Sequence, residues 1–476
     1  MYYTLSIYQG AKALDSTSMG NCCNICLTPQ DVLSDKHLTA YRTKSFKRVQ
    51  YGGCMHVIEE AYPISFRKGD AKALGEHIRH HNSVALIGVK RVGISNFLRF
   101  FLHHPKIQET YIHNGMTHYF IPVDLNDLVE RDIFPFWTLV LTRLVDVIEE
   151  SKLSENTKTT SSRLFRESIQ LKDLFFTVDS VRKIAALLTA QGIYPTFFFI
   201  RFDRIKDAIT PEFFSNLQSI HDAAKQKLSY VFTSFRPLHQ LAPDVFSKTS
   251  LSVFSHDLFI QPAKEADLRM ILHTFQDRYH LKLPEKINDW LISLSGGHVQ
   301  YLQLALIRLR DEKRLPQTKQ ELLDMLCTNE EIILQSEELF ESLNKTEQDI
   351  LVKIAEGKHV YDGAPYVWDT GMVKNNQLFC PLLTQYLQKK QKGLPAPHTE
   401  FTKKEHLLFS FLKSKLGELA EREDIISAVW PEFLELGVSD WAIDRLVARV
   451  RTKLKTQKSS YEIITVITRG YKLVNT

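Results

Sequence analysis

The sequence predicts a multidomain chain with an α/β core, small helical domains behind it, and a C-terminal domain that ends in a helix and a β-hairpin. Three observations carry this. The chain has 476 residues, which makes three or four domains at roughly 100–200 residues each. From Ser65 to about Leu326, helical and strand-like segments alternate in an α/β rhythm. Near the C-terminus, a one-sided helical stripe gives way to two strand-like runs separated by a glycine turn.

The first segment, residues 1–62, holds Cys22, Cys23, Cys26, Cys54 and His56. Cys23, Cys26, Cys54 and His56 would make a tetrahedral ligand set for zinc, although the second knuckle is short and Cys22 blurs the register. Free thiols are the favoured reading. Six cysteines in so long a chain do not make a disulfide framework. The basic stretch 41–48 is read as a solvated face, with non-specific phosphate contact as the alternative. The N-terminus lacks a basic leader with an apolar core, and no run reaches the ~18–20 apolar residues that cross a bilayer. The expectation is a soluble, cytoplasmic protein with no membrane partner. The formal charge of +5 is mild for the length, so only its clustering speaks for a polyanionic partner.

The α/β domain is expected over 63–260. Residues 82–88 read as a short buried strand that runs into Gly88-Val-Lys-Arg-Val-Gly-Ile-Ser95 and then a helix. Strand, glycine-rich turn and helix N-terminus make a phosphate cradle of backbone N–H groups. Against the pattern G-x-x-x-x-G-K-[ST], Gly88, Gly93 and Ser95 fit, while Ile94 stands at the lysine position. Lys90 and Arg91 lie in the same loop as partial substitutes. A second strand is expected over 196–203, ending at Asp203. In one register Asp203 is a metal carboxylate and Arg204 replaces the catalytic glutamate; in the other, Ile200 and Arg201 replace both acids. A third strand, 228–236, ends in polar residues. A helical segment, 261–328, follows and contains Leu294-Ser-Gly-Gly-His-Val-Gln-Tyr-Leu302.

In that order these pieces resemble the STAND and archaeal AAA+-like ATPases, in which a Gly-Gly-His/Asn-Pro segment opens a helix of the lid. The resemblance implies a P-loop NTPase-like core plus lid. With Ile94 at the lysine position and no catalytic glutamate, it argues against turnover. ATP or ADP remains an open ligand through Gly88, Lys90, Arg91, Gly93, Ser95 and Asp203, and no catalytic residue is assigned. Residues 329–395 form the next segment. There 343–355 reads as a capped helix and 369–381 as a hairpin with an Asn-Asn turn. This part resembles the winged helix that follows the lid in those ATPases, where it packs on the core.

The last domain is expected over 396–476. Apolar residues Ile443, Leu446, Val447, Val450 and Leu454 line one side of a helix, while Trp441, Arg445, Ala448, Arg449 and Thr452 point the other way. A strand over 461–467, a turn at 468–470 and a return strand over 471–474 make a wing with Arg469 at its tip. From Arg445 onward there are eight bases (Arg445, Arg449, Arg451, Lys453, Lys455, Lys458, Arg469 and Lys472) and one acid, Glu462. That distribution suits a polyanion. In order and spacing the domain resembles the winged helix-turn-helix of OmpR/PhoB-type response regulators. The resemblance implies binding to double-stranded DNA, with Arg449, Arg451 and Lys453 mostly on phosphate. Trp441, Ala442, Arg445 and Leu446 depart from the family pattern, so no target sequence carries over. The chain shows no strand-end acid, aspartate and lysine series of a receiver domain, so phosphorelay does not carry over either.

The fold class is therefore a P-loop NTPase-like α/β core with a helical lid and a winged helix, followed by an OmpR/PhoB-type winged helix-turn-helix. The leading function is a DNA-binding transcription regulator whose P-loop module serves signal input or homo-oligomerisation. A STAND-type ATP-dependent switch with slow hydrolysis and a protein-interaction scaffold are the alternatives.

Overall fold

The computed structural model describes residues 57–113, 115–128, 130–248, 256–360, 363–391, 401–431, 438, 440–466 and 469–475. The chain divides into Met1–Met55 and His56–Thr476, and every described residue belongs to the second unit. Cys23, Cys26, Cys54 and His56 lie outside the described residues. Among the described residues, no group of His, Cys, Asp and Glu could hold a metal ion, and no helix is long and apolar enough to cross a membrane.

The α/β core is a five-stranded, fully parallel sheet of order β2-β3-β4-β1-β5. Its strands are β1 (Val84–Ile87), β2 (Thr117–Asp124), β3 (Ile193–Ile200), β4 (Ser229–Ser234) and β5 (His256–Phe259). The three inner strands carry near-continuous apolar runs, Val-Ala-Leu-Ile in β1 and Ile-Tyr-Pro-Thr-Phe-Phe-Phe-Ile in β3, and are buried on both faces. That is the pattern of strands covered by crossover helices. The helices are α1 (Lys68–Arg79), α2 (Ile94–His103), α3 (Ile133–Glu150), α4 (Glu155–Leu171), α5 (Leu174–Ala190) and α6 (Pro211–Ala223). An aromatic cluster of Phe136, Trp137, Phe199, Phe202, Phe213 and Phe232 welds the sheet to α3 and α6.

Several strand ends differ from the sequence reading (the third strand, expected over 228–236, is Ser229–Ser234), and one of them bears on the site. The strand expected over 196–203 begins earlier and stops at Ile200. Arg201 takes a left-handed φ of 60°, its N–H bonds the Thr233 hydroxyl at 2.7 Å, and residues 202–208 continue as a 3-10 helix. Asp203 is thus on a helical turn and not at a strand end.

Four helices follow: α7 (Glu265–Tyr279), α8 (Glu285–Ser295), α9 (Val299–Arg310) and α10 (Lys319–Leu326). Then come α11 (Glu330–Glu341) and α12 (Lys345–Ala355), the latter opened by a capping box of Asn344 and Glu347. A two-stranded hairpin, β6 (Val373–Lys374) and β7 (Gln377–Leu378), turns through Asn375 and Asn376 at φ 51° and 55°, as a two-residue hairpin requires. Helix α13 (Pro381–Gln391) ends this part.

The C-terminal domain contains α14 (Lys403–Ser414), β8 (Ala420–Glu421), α15 (Arg422–Val429), α16 (Asp440–Thr456), β9 (Tyr461–Val466) and β10 (Gly470–Asn475), with a sheet of order β8-β10-β9. Leu408, Leu412, Ile425, Val429, Ile443, Leu446, Val447, Val450, Ile463 and Leu473 are buried together. This is a winged helix. Gly470 admits β8 to the sheet, because a Cβ there would sit 2.1 Å from the Ala420 carbonyl oxygen.

Candidate nucleic-acid interface and the P-loop-like module

Helix α16 sorts its side chains as the heptad-like pattern demands. Ala442, Ile443, Leu446, Val447, Val450 and Leu454 are buried, while Asp444, Ala448 and Thr452 are exposed and Trp441, Arg445 and Arg449 are half-buried. Of the last three, Arg445 and Arg449 stand on the outer side but are covered by another element. Arg445 Nε donates to Glu337 Oε1 at 3.1 Å, and Arg445 also pairs with Glu341 at 3.2 Å. Arg449 donates to the other Glu337 oxygen. Both acids belong to α11.

The first residue of α16 is held from the α/β core. Asp440 is bonded by Arg131 at 2.6 Å, with Arg204 at 3.8 Å and Arg422 of the same domain at 3.3 Å. Burial raises the Asp440 carboxyl pKa, but Arg204, Arg422 and Arg131 outweigh it and hold it below the ordinary range.

Two of the expected phosphate contacts are committed inside the domain. Lys453 is buried, and its Nζ lies 2.6 Å from Glu405 Oε2; Glu405 also closes the capping box that opens α14. Arg451 donates to the Ile463 carbonyl at 2.9 Å and to the Thr465 hydroxyl at 2.8 Å, which ties α16 to the wing. Lys453 is next to Leu454 of the apolar stripe and is buried with it. Arg469 stands exposed at the wing and reaches Glu421 at 3.3 Å.

The phosphate-cradle loop has the expected backbone. Arg91 and Gly93 have positive φ, 63° and 116°, and α2 starts at Ile94 with no side-chain cap. Ile94 turns back into the loop: its Cδ1 is 3.1 Å from where a Cβ on Gly88 would be. Ser95 is exposed. The loop is clamped from α9, where a Cβ on Gly93 would meet Val299 Cγ2 at 2.6 Å. Lys90 Nζ lies 3.4 Å from Glu338 Oε1, Arg91 Nε lies 3.7 Å from Glu338 Oε2, and Arg91 also bonds Gln300 at 3.3 Å. Glu338 is buried. A cleft of about 50 Å³, lined by Arg91, Gln300, Glu331, Glu338, Trp430 and Val438, opens where loop, lid helix, α11 and C-terminal domain meet. That space suits one or two waters, whereas ligand pockets run to about 300 Å³ and above.

Asp203 lies near enough to feel Lys90, but burial dominates and raises its carboxyl pKa. Arg201 is bonded to Asp124 across the sheet. Arg236, just past the end of β4, turns away from the loop to α12, where it is bidentate to Glu347 at 2.7 Å on both arms.

His298, the N-cap of α9, fixes the loop through a hydrogen bond of 3.0 Å from Nε2–H to the Lys90 carbonyl, while Nδ1 accepts from the Tyr301 N–H. Burial pushes its imidazole down to about 4. The folded state thus binds the proton more weakly than the unfolded chain, so stability is complete above an ordinary histidine pKa of about 6.5 and falls as the pH drops toward 4. His118, also pushed down to about 4 by burial, adds to the same slope. His298→Asn keeps a capping acceptor and is expected to flatten the acid limb by up to about 3 kcal/mol between neutral and about pH 4. Thermal unfolding across that range checks it, and an unchanged slope contradicts it.

The decisive comparison falls on the C-terminal domain. Residues 397–473 match the family of transcriptional regulatory proteins, C-terminal domain. No curated protein is similar enough in sequence to count as a match. Among solved structures, the Walker-type ATPase of Pyrococcus abyssi is 15% identical, covers 68% of this chain and 95% of its own, and has a TM-score of 0.44. The Aeropyrum pernix ORC2 protein in its ADP form is 14% identical, covers 82% and 95%, and has a TM-score of 0.38. The Aeropyrum pernix ORC1 protein in complex with DNA is 11% identical, covers 86% and 88%, and has a TM-score of 0.36.

The sequence reading missed the partners of the outer arginines. Glu337, Glu338 and Glu341 sit in Glu-Glu-Ile-Ile-Leu-Gln-Ser-Glu-Glu-Leu-Phe-Glu, a helix with five acids and no base. The signal was present as an unmatched acidic helix, but nothing in the sequence says what it faces.

Proposed function

We propose that this chain is a DNA-binding transcription regulator in which α16 reads duplex DNA and the wing at Arg469 contacts the backbone. The observation that supports it most is the winged helix itself, with cations on the outer side of α16, in a segment that matches a transcription-regulator family. An α-helix with arginines on its outer side fits the major groove, where guanidinium groups bind guanine edges or phosphate. Trp441, Arg445, Ala448, Arg449 and Thr452 are the proposed groove-facing residues; Arg451 and Lys453 act by holding the wing and α14 in place. The P-loop-like module is proposed as the signal-input or self-association part, and not as a hydrolase: Ile94 fills the loop and Glu338 holds Lys90 and Arg91. The segments 63–260, 261–328, 329–395 and 396–476 are its proposed domains.

Titration of fluorescent duplex DNA with the full chain at two salt concentrations tests the reading. Affinity is expected to fall with salt, with a log–log slope near −0.9 for each phosphate neutralised. A change of affinity on adding ATP supports nucleotide input; hydrolysis abolished by Asp203→Ala supports a switch ATPase instead. Salt-insensitive binding to protein with none to DNA contradicts the proposal.

A further inference from the structure

We propose that α11 is a built-in competitor for DNA: it masks α16 by presenting carboxylates where the proposed reading places phosphates. This rests on the DNA-binding reading of α16. The acids of α11 are spent on three neighbours. Glu330 accepts from the Thr402 hydroxyl at 2.7 Å and Glu331 pairs with Lys404 at 3.0 Å, both at the start of α14. Glu337 binds Arg445 and Arg449 together, and Glu341 binds Arg445. Glu338 alone faces the other way, to Lys90 and Arg91.

The geometry of the pairing is regular. Glu337 and Glu341 are four residues apart on α11, and Arg445 and Arg449 are four apart on α16, each about 6 Å along its axis. Two acids therefore meet two bases in register. Glu337 is 10% exposed and Arg449 26%, so the pairs are screened less than surface ion pairs. A helix about 10 Å wide lying on this side leaves no room for a duplex. Asp440, at the N-terminal end that enters the groove in helix-turn-helix complexes, is pinned to Arg131 and Arg204 of the core. Helix α16 must leave α11 before it binds DNA.

The arrangement also gives the mask a route of control. Glu337 and Glu338 are consecutive, so the residue that holds the arginines of α16 and the residue that holds the cations of the P-loop-like loop move with one helix. Whatever shifts α11 relative to the loop shifts the mask.

The test uses the full chain with Glu337→Gln/Glu341→Gln, and with Glu155→Gln as a control that removes one charge from an exposed site on α4. Without DNA, amide hydrogen exchange over 330–341 and 440–456 is expected to speed up in the double variant only. With a labelled random-sequence duplex at low salt, the double variant is expected to bind roughly 10-fold tighter than the parent chain, within the usual range of coupling between sites. Glu341→Gln alone, at a more exposed position, gives a smaller gain of the same sign and serves if Glu337→Gln does not fold. Equal affinities with unchanged exchange overturn the mask and leave the DNA-binding reading standing. An α16 that exchanges freely in the variant yet binds no duplex overturns the DNA-binding reading, and the mask falls with it.

Discussion

Arg236→Ala is expected to destabilise the chain by about 3–5 kcal/mol, the usual result of removing one partner from a buried ion pair. Arg236 donates from both arms to Glu347 and from one arm to the Ser342 carbonyl at 2.8 Å. Its guanidinium also stacks 3.9 Å from the Tyr366 ring centroid. The Glu347 side chain is 3% exposed, so deleting the arginine strands a carboxylate that also caps α12. A drop in Tm of roughly 10 °C follows if the unit of unfolding is a domain of 150–250 residues. Arg236→Lys keeps the charge but loses the fork and the stacking, and is expected to fall between the two. Thermal unfolding followed by circular dichroism measures both; a Tm unchanged in Arg236→Ala would mean that the pair contributes nothing. The position matters for function as well. It lies at the end of the third strand, which the sequence marks only as polar, and the structure commits it to α12.

The second large effect concerns DNA. Arg445→Ala/Arg449→Ala, placed in the Glu337→Gln background, is expected to lower duplex affinity about a hundredfold or more, at roughly 1–3 kcal/mol for each lost arginine. The background is chosen for a physical reason. On the proposed reading these arginines serve two opposed interactions in the parent chain, since they would attract DNA and they also hold α11. Removing them there would weaken binding and loosen the mask together, and the two changes would partly cancel. With Glu337 neutral, Arg449 has lost its pair with α11 and Arg445 keeps only the one to Glu341, so the loss that is read comes mainly from the DNA contacts. Fluorescence anisotropy at low salt measures the change, and an unchanged affinity would remove α16 from the interface.

Much of this architecture is legible in the amino-acid order, because it depends on local pattern. The stripe Ile443, Leu446, Val447, Val450 and Leu454 is buried as its period requires, and the runs before and after Gly470 pair as a hairpin. The strand, glycine turn and helix around Gly88–Ser95 follow from turn chemistry and a short apolar run. Asn375 and Asn376 form the turn that two asparagines in sequence suggest. What is not legible is set by tertiary partners. The end of β3 at Ile200 depends on a left-handed Arg201, a conformation that an arginine gives no sign of adopting. The resemblance implies phosphate as the partner of Lys453, and nothing in the sequence points to Glu405, 48 residues away, which the structure places beside it. The acids of α11 give no sign of their partners for the same reason. A charge on a helix surface looks alike in the sequence whether water or another helix lies opposite, and here Arg445 and Arg449 lie opposite, 108 and 112 residues from Glu337.

These observations fit one picture, in which the proposed DNA-reading helix is held against an acidic helix that also touches the loop after β1. Hydrogen exchange of the full chain with and without saturating duplex DNA tests the central claim most directly, because it reports where the duplex sits. The account predicts that DNA protects residues 440–456 and the wing around Arg469 while residues 330–341 exchange faster. Protection confined to residues outside 440–475 would contradict it.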